Sequence, residues 1–345
     1  MKSILKISFV LVVIVCLFSH CNAPKSPVNP TQSSDCDYNE FSTPGDFQQA
    51  GEQMIELKEG YKVWTKRIGN NPDIKVLLLH GGPALTHEYM LCFESFFPEA
   101  NIEFYHYDQL GSKYSDQPED ESLWTIDRFV EEVEQVRQGL GLNKDNFFLL
   151  GNSWGGILAM EYALKYQQHM KGMVVCNMTA DFDKYEAYNK ELRKGLRPSL
   201  VDSLNAYEAA EDYHNEEYLN LITEEFYTKH ILRMPTDKWP LPVQRSFGNV
   251  NGPVYEYMQG PSEFVPGGIL KHWSVWDDLK TLTVPTLMVG AKYDSMNPKE
   301  MEEMSHLVQN GQYLHCEGSH LSMWDDQERF MNGVIGFILG VQNSH

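Results

Sequence analysis

The hexapeptide Gly151-Asn152-Ser153-Trp154-Gly155-Gly156 stands between two stretches of different character. The five residues before it, 146–150, are apolar or amide residues and predict a short buried strand. Residues 157–164, which follow it, are good helix formers and predict a helix. A serine flanked by glycines between a strand and a helix predicts a tight turn with the serine at its tip.

This strand, turn and helix are typical of a nucleophile elbow, in which the pattern G-x-S-x-G presents a reactive serine at the edge of a sheet. The turn strains the backbone of Ser153, and its small neighbours let the helix pack close to the strand. The hydroxyl then projects into a cleft at the positive end of the helix dipole. We therefore predict that Ser153 is a nucleophile; the alternative is a chance match in a glycine-rich loop.

Strands and helices alternate along most of the chain. Residues 126–140 carry apolar side chains at helical spacing, with Thr125 placed as the cap. Besides the elbow strand, apolar runs of strand length occupy residues 74–79, 102–107, 173–176, 284–290 and 312–315. This alternation predicts an α/β protein, the α/β-hydrolase fold, with a mostly parallel sheet covered by helices on both faces.

The alternation stops between residues 177 and 271. This segment is polar and aromatic, and it contains Asn-Gly-Pro and Pro-Gly-Gly breaks. We interpret residues 177–271 as a mainly helical cap inserted into the hydrolase core. The core then consists of residues 46–176 and 272–345.

The first 21 residues predict an export signal. Lys2 and Lys6 precede an apolar run over residues 7–18 that is too short to span a bilayer comfortably. Because Cys21 follows this run directly, we predict a lipoprotein leader that anchors Cys21 in a bacterial cell envelope membrane. The alternatives are a periplasmic or secreted protein and an uncleaved anchor. Residues 22–45 are rich in Pro, Ser, Asn and Asp and predict a flexible tether.

The composition limits the partners of the protein. With 48 acidic and 28 basic residues, the formal net charge is −20, which would repel nucleic acid and anionic lipid surfaces. No nucleic-acid partner is therefore expected, and membrane contact is expected only through the lipid anchor. The cysteines show no C-x-x-C spacing, so a zinc site is not expected. An oxidising compartment would allow disulfides, whereas Cys176 and Cys316 fit buried thiols in strands.

Two strand ends supply partners for the serine. A serine hydroxyl needs a base, usually histidine, and the base is oriented by a carboxylate. In the elbow fold the order along the chain is Ser, Asp, His. Asp294 comes just past the strand at 284–290, and His320 follows the strand at 312–315. Parallel strands end on the same edge, so Ser153, Asp294 and His320 should converge there. No cofactor is implied, since nucleophile and base are side chains.

A predicted oxyanion hole requires two backbone N–H donors. One belongs to Trp154, the residue after the nucleophile. The other belongs to the turn His80-Gly81-Gly82-Pro83, which follows the early strand. Glycines allow the backbone to approach a substrate closely, and Pro83 stiffens the turn. The alternative is that this segment is only a glycine turn.

Several motifs together resemble the proline iminopeptidase family of serine peptidases, most of all its tricorn-interacting aminopeptidase branch. The resemblance rests on the glycine turn and the elbow quoted above and on four more motifs: Asp108-Gln109-Leu110-Gly111, Gly318-Ser319-His320, Phe226-Tyr227-Thr228-Lys229-His230 and Gly260-Pro261-Ser262-Glu263-Phe264. The resemblance implies that Ser153, Asp294 and His320 form the triad. It assigns the oxyanion hole to Gly82 and Trp154. It also implies that Gly81 lies at the substrate and that Glu263, in the cap, holds the free α-amine.

The sequence departs from the family pattern at three places. Ala84 stands where the family usually has glycine, and Lys113 and Tyr114 precede Ser115. Ser295 stands where related aminopeptidases carry a second glutamate after the triad aspartate. A serine hydroxyl can accept one hydrogen bond from a substrate ammonium. We therefore expect a weaker preference for free N-termini than in relatives with two glutamates.

Three functions are consistent with these residues. The first is a serine aminopeptidase that removes an N-terminal residue, proline or another, often apolar, from short peptides through an acyl-enzyme. The second is an esterase or amidase acting on small molecules. The third is an inactive binding lipoprotein, which the complete set of catalytic residues disfavours. The expected partner is thus a short peptide or a small amide or ester substrate.

Overall fold

The computed structural model describes residues 51–344. The predictions for the leader, for Cys21, for the tether and for any pairing of Cys36 lie outside these residues. Within the described part, one sheet contains eight strands. They are β1 Glu52–Glu56, β2 Lys62–Ile68, β3 Lys75–Leu79, β4 Glu103–Asp108, β5 Phe147–Asn152, β6 Gly172–Cys176, β7 Thr286–Ala291 and β8 Gly311–Cys316.

The order of the strands across the sheet is β1-β2-β4-β3-β5-β6-β7-β8. The pairs from β4 through β3 to β8 are parallel, and only β1 with β2 and β2 with β4 are antiparallel. The prediction of a mostly parallel sheet is confirmed. The antiparallel hairpin of β1 and β2 at one edge was not predicted.

The helices in the described part are α1 Ile126–Gly139, α2 Trp154–Tyr166, α3 Phe182–Lys194, α4 Pro198–Ala209, α5 Glu216–Ile222, α6 Thr228–His230, α7 Leu241–Gly248, α8 Gly252–Gln259, α9 Pro298–Leu307, α10 Ser322–Asp325 and α11 Gln327–Asn343. A π-helical turn covers Thr223–Tyr227. Short 3-10 helices cover His87–Ser95, Glu121–Leu123, Gln167–His169, Thr236–Lys238, Gly268–Leu270 and Leu279–Thr281. The predicted cap of α1 is confirmed, because the Thr125 side chain accepts from Arg128 N–H at 3.3 Å.

The sheet separates two apolar clusters because successive side chains of a strand point to opposite faces. From β3, Leu77 and Leu79 enter the cluster covered by α1, α2 and α9. Val76 and Leu78 enter the other cluster, covered by α11 and by the 3-10 helix His87–Ser95. Each fully buried aliphatic side chain of this kind contributes about 1.5–3 kcal/mol. Helices on both faces are thus confirmed.

The chain between β6 and β7 contains α3 to α8 and no strand among its described residues. Its mainly helical character agrees with the sequence, while the cap limits of 177 and 271 stay predictions. A small apolar cluster of its own holds α4 and α5 together through Leu200, Leu204, Tyr218 and Ile222.

The cysteines of the described part are buried free thiols, as expected for Cys176 and Cys316. Cys176 ends β6 and Cys316 ends β8, and burial raises the pKa of both thiols. None of the helices within residues 51–344 combines the length and apolarity needed to cross a bilayer.

Candidate active site

The elbow holds Ser153 in a conformation that only a tight turn produces. Ser153 follows β5 directly, is the N-cap residue of α2, and has φ 56° and ψ −127°. A Cβ at Gly151 would lie 1.9 Å from the carbonyl oxygen of Gly155, and a Cβ at Gly155 would lie 2.1 Å from that of Leu79. Both positions therefore require glycine so that α2 can pack against β5 and β3. The sharp turn leaves the serine side chain partly exposed at the sheet edge.

The predicted acid and base are in direct contact. His320 Nδ1 lies 2.8 Å from Asp294 Oδ1. A carboxylate can only accept, so Nδ1 carries the proton and Nε2 is left as the basic nitrogen. Asp294 is fully buried, and its oxygens also accept from the Asn177 side-chain amide at 2.7 Å and from Met296 N–H at 3.0 Å. These bonds fix the carboxylate that orients the imidazole.

The electrostatic surroundings of His320 favour its protonated form. Burial by itself would lower the pKa of His320. The Asp294 carboxylate opposes burial through its charge and its hydrogen bond, and the charges of Glu263 and Asp325 add to this effect. The net result is a pKa above the ordinary value of 6.5. The ring can therefore take up a proton readily near neutral pH, as a general base should.

The three predicted triad residues lie at the carboxyl ends of parallel strands of one sheet, Ser153 after β5, Asp294 after β7 and His320 after β8. The acid and base are joined, but the Ser153 hydroxyl has no hydrogen-bond partner among the described residues. Such a catalytic bond often becomes short only when substrate is bound. The arrangement thus supplies an oriented acid–base pair and a free hydroxyl.

The predicted oxyanion donors are both unengaged. Within residues 51–344, the N–H groups of Gly82 and Trp154 have no protein acceptor. Gly82 has φ 111°, a value that suits glycine. The turn lies against the nucleophile, since a Cβ at Gly81 would be 2.9 Å from Ser153 Cβ. Gly81 itself donates its N–H to the Tyr89 hydroxyl at 2.6 Å, so this N–H is not free to bind an oxyanion. The predicted place of Gly81 at the substrate stays a prediction.

Buried hydrogen bonds connect the glycine turn to the elbow. The Tyr89 hydroxyl, which accepts from Gly81, donates to Asn152 Oδ1 at 2.9 Å. On the other side, the Gln109 side chain donates to the His80 carbonyl at 3.0 Å and accepts from the Trp154 indole at 2.7 Å. The glycine turn is thereby tied to residues on both sides of Ser153. Such donors can stabilise an oxyanion without rearranging.

Glu263 is held by tyrosine hydroxyls of the helical segment. Tyr255 donates to Glu263 Oε1 at 3.0 Å, and Tyr185 donates to Oε2. Burial and the charge of Glu263 raise the pKa of both tyrosines, so they remain donors. The charge of Glu263 is also one of the smaller causes of the raised pKa of His320. The two tyrosines thus hold a carboxylate in a fixed position on the helical segment.

Ser295 lies on the inner side of the site. It is fully buried, and its hydroxyl oxygen is 3.5 Å from His320 Nδ1. Its carbonyl accepts from the Asn189 side-chain amide at 3.2 Å. No contact joins Ser295 to Glu263 in the described part of the chain. The predicted hydrogen bond from Ser295 to a substrate ammonium stays a prediction.

The sequence reasoning did not find five residues that support the site. Asn177 holds Asp294, Tyr89 and Gln109 hold the glycine turn, and Tyr185 holds Glu263. Tyr255, which also donates to Glu263, is a fifth such residue. Gln109 lies in a quoted motif, and Asn177 directly follows a predicted strand, so position alone could have marked these two. No cluster of three or more metal-binding side chains occurs among residues 51–344.

Comparison with known proteins agrees with this geometry. Residues 75–326 match the family described as alpha/beta hydrolase fold. A proline iminopeptidase of Flavobacterium johnsoniae is 58% identical over 295 residues, which cover 84% of this chain and 99% of that protein.

Two crystal structures extend the likeness to three dimensions. VinJ aligns with a TM-score of 0.79 and 31% identity, over 84% of this chain and 99% of that one. A proline iminopeptidase of Mycobacterium smegmatis aligns with a TM-score of 0.75 and 25% identity, over 85% and 99%. The fold, the high identity over nearly the whole relative and the arrangement at the sheet edge agree, and the chain belongs to the proline iminopeptidase family of α/β-hydrolases.

Proposed function

We propose that this protein is a serine aminopeptidase that removes an N-terminal residue, proline or another apolar one, from short peptides. The observation that carries the proposal is the Glu263 carboxylate, held on the helical segment by Tyr185 and Tyr255. A fixed anion on the segment that packs against the His320 loop suits a substrate with a positive charge near its scissile bond. The α-ammonium of a peptide is such a charge.

In the proposed reaction, Ser153 attacks the carbonyl carbon of the first residue while His320 Nε2 takes its proton. The N–H groups of Gly82 and Trp154 bind the oxygen that becomes negative. His320 then gives the proton to the leaving amine, and an acyl-enzyme on Ser153 remains. Water, activated by the same histidine, releases the amino acid. Asp294 keeps the ring oriented and stabilises its charged form throughout.

The carboxylate of Glu263 gives this reaction its exopeptidase character. A charge-assisted bond between an ammonium and a carboxylate is about twice as strong as a neutral one. An N-terminal proline provides a secondary ammonium with two N–H donors, and the two carboxylate oxygens can accept both. The name of the Flavobacterium relative, proline iminopeptidase, supports proline as one accepted residue.

The second candidate is an esterase or amidase for small molecules. It is favoured by Ser295, which leaves Glu263 as the single predicted anion for an amine where related aminopeptidases have two. The triad chemistry would be the same, but no free amine would be needed.

A panel of aminoacyl arylamides separates the two candidates. Prolyl, alanyl, leucyl and phenylalanyl arylamides are each assayed free and N-acetylated, with Ser153→Ala as the blank. The aminopeptidase proposal requires a much higher kcat/KM for the free forms. Equal hydrolysis of free and acetylated forms would support the esterase or amidase, and no hydrolysis of either would contradict the aminopeptidase proposal.

We also propose that the protein is exported and anchored by lipid at Cys21. The support is the leader pattern, in which two lysines and an apolar run precede this cysteine. Radiolabelled palmitate should enter the wild-type protein but not Cys21→Ala. Release of an unlabelled soluble wild-type protein would instead support simple secretion.

A further inference from the structure

The middle of the helical segment contacts the loop that carries the predicted base. We call residues 230–233 the cap turn. His320 N–H donates to the His230 carbonyl at 3.0 Å, and Leu321 N–H donates to the Ile231 carbonyl at 2.8 Å. The Ser319 hydroxyl also donates to the Ile231 carbonyl, at 3.0 Å. The backbone on either side of the imidazole is thereby paired with the cap turn.

The same turn contacts the loop that carries the predicted acid. His230 Nδ1 lies 2.9 Å from the carbonyl oxygen of Tyr293, the residue just before Asp294. A carbonyl can only accept, so Nδ1 carries the proton. The Arg233 guanidinium lies over the Tyr293 ring, 3.5 Å from its centroid. The peptide leading into Asp294 is therefore held from the side of the cap.

We propose that His230 is a positioning residue for the catalytic pair. Its carbonyl fixes the backbone of His320 and its ring fixes the backbone leading into Asp294, so one residue of the cap sets the separation of base and acid. The inference rests on the proposed function, because it assumes that Asp294 and His320 work as acid and base. It adds a role to a residue that touches neither Ser153 nor the predicted oxyanion hole.

A histidine suits this position for two reasons. Its flat ring packs against Phe226 with 4.8 Å between ring centroids, and its Nδ1–H has the short reach needed for the Tyr293 carbonyl. Burial lowers the pKa of His230, although the Tyr293 bond and the charge of Asp294 oppose this effect. Lys229 and Arg233 lower it further. The ring therefore remains neutral, with its single proton on the nitrogen that makes the bond.

The contact should affect turnover more than substrate affinity. If the Tyr293–Asp294 peptide moves, the carboxylate shifts relative to the imidazole that it orients. A displacement of about 1 Å in a catalytic group can cost roughly 100-fold in rate. Glu263 accepts hydrogen bonds from Tyr185 and Tyr255, which lie on other helices. A change at His230 should therefore not disturb the predicted amine site.

The test compares two replacements of similar size. His230→Leu removes the ring donor and keeps the carbonyl that binds His320. His230→Asn also keeps that carbonyl and places an amide N–H near the position of Nδ1. Lys229→Leu, at an exposed position beside it, is the matched control. Steady-state kinetics on a free aminoacyl arylamide give kcat and KM, and thermal melting reports the fold.

We expect His230→Leu to lower kcat about 10- to 100-fold with KM nearly unchanged, and His230→Asn to recover most of the loss. The acid limb of the kcat profile should move to lower pH in His230→Leu. The reason is that Asp294 raises the pKa of His320, and a displaced Asp294 raises it less. Glu263 and Asp325, the other charges that act on His320, are left in place.

Labelling of Ser153 by a fluorophosphonate separates this inference from the proposed function. An unlabelled wild type would contradict the proposed function itself. A labelled wild type with equal labelling, kcat and pH profile in His230→Leu would overturn the positioning role, as would equal losses in the Leu and Asn variants. If His230→Leu does not fold, His230→Asn is compared with His230→Gln, whose amide extends past the Nδ1 position. Near-normal kcat in Asn and low kcat in Gln supports the role, whereas equal values contradict it.

Discussion

Replacing Glu263 by glutamine removes the charge of this side chain and keeps its shape. Glutamine can still accept from the Tyr255 hydroxyl, now 3.0 Å from Glu263 Oε1. The Tyr185 hydroxyl can rotate to accept from the new amide, so the local packing should persist. The substitution therefore tests the charge alone.

The size of the effect follows from the environment of the carboxylate. Removing one partner of a buried, hydrogen-bonded charge pair costs about 2–5 kcal/mol. Glu263 is only half-buried before substrate binds, so we take the lower end, about 2 kcal/mol. At 1.36 kcal/mol for each factor of ten, kcat/KM for free aminoacyl substrates should fall about 30-fold. A neutral acyl ester cut by the same triad should lose none of this activity, because it forms no ion pair with Glu263.

The assay measures hydrolysis of a prolyl arylamide and of a neutral nitrophenyl ester by the same enzyme preparation. Glu256→Gln is the matched control, because Glu256 lies on α8, its side chain is 41% exposed, and its carboxylate lies 3.6 Å from His214 Nε2. The ratio of the two activities should change in Glu263→Gln and not in Glu256→Gln. If Glu263→Gln lowers both activities equally, the glutamate is structural, and the esterase or amidase becomes the better supported of the two candidate functions.

Three further predictions concern residues at the carboxyl ends of the parallel strands. Ser153→Ala should fold normally and lose nearly all turnover, on the order of a million-fold as in other triads; more than a few per cent of residual activity in pure protein would remove Ser153 from its role. Asn177→Asp keeps the shape of a residue whose φ is 55° but sets a second carboxylate beside Asp294. The added negative charge should raise the pKa of His320, so at pH values below that pKa kcat should fall about tenfold for each unit of the rise; unchanged kinetics would contradict a role for Asn177 in holding the acid. Because His320 must be neutral to accept a proton and its pKa lies above 6.5, kcat/KM should be lost as the pH falls through a value above 6.5; an acid limb well below 6 would contradict this assignment.

The central strands could be predicted from the sequence because they are buried on both faces. Continuous apolar runs mark β3, β5, β6 and β7, and the structure places these strands side by side. The edge hairpin was missed because β1 buries only Ile55 of its five residues and reads as a polar segment. β1 pairs with β2, the other strand of the same hairpin, and neither the composition of β1 nor a periodic pattern in it indicates this pairing.

The reactive residues of the predicted site could be identified from their positions just after strands, but the residues that hold them could not. Asp294 and His320 come just after strands, and the topology alone brings such residues to one edge. Asn177 and Asp294 are separated by 117 positions, and Tyr89 and Asn152 by 63. Their hydrogen bonds depend on how loops are packed, which no local spacing records. Tyr185 and Glu263 are likewise separated by 78 positions.

In the proposed complex, the charge of Glu263 would link binding of the substrate ammonium to release of a proton from His320. The charge of Glu263 helps to keep the ring protonated, and an ammonium bound in the proposed complex would cancel that charge. The pKa of His320 would then fall, and a proton would leave the ring as the amine binds. By reciprocity, the amine binds more tightly to the enzyme whose histidine is already neutral. In the proposed complex, a free N-terminus would thus leave a larger fraction of His320 neutral, whereas an acylated one would leave the charge of Glu263 uncancelled.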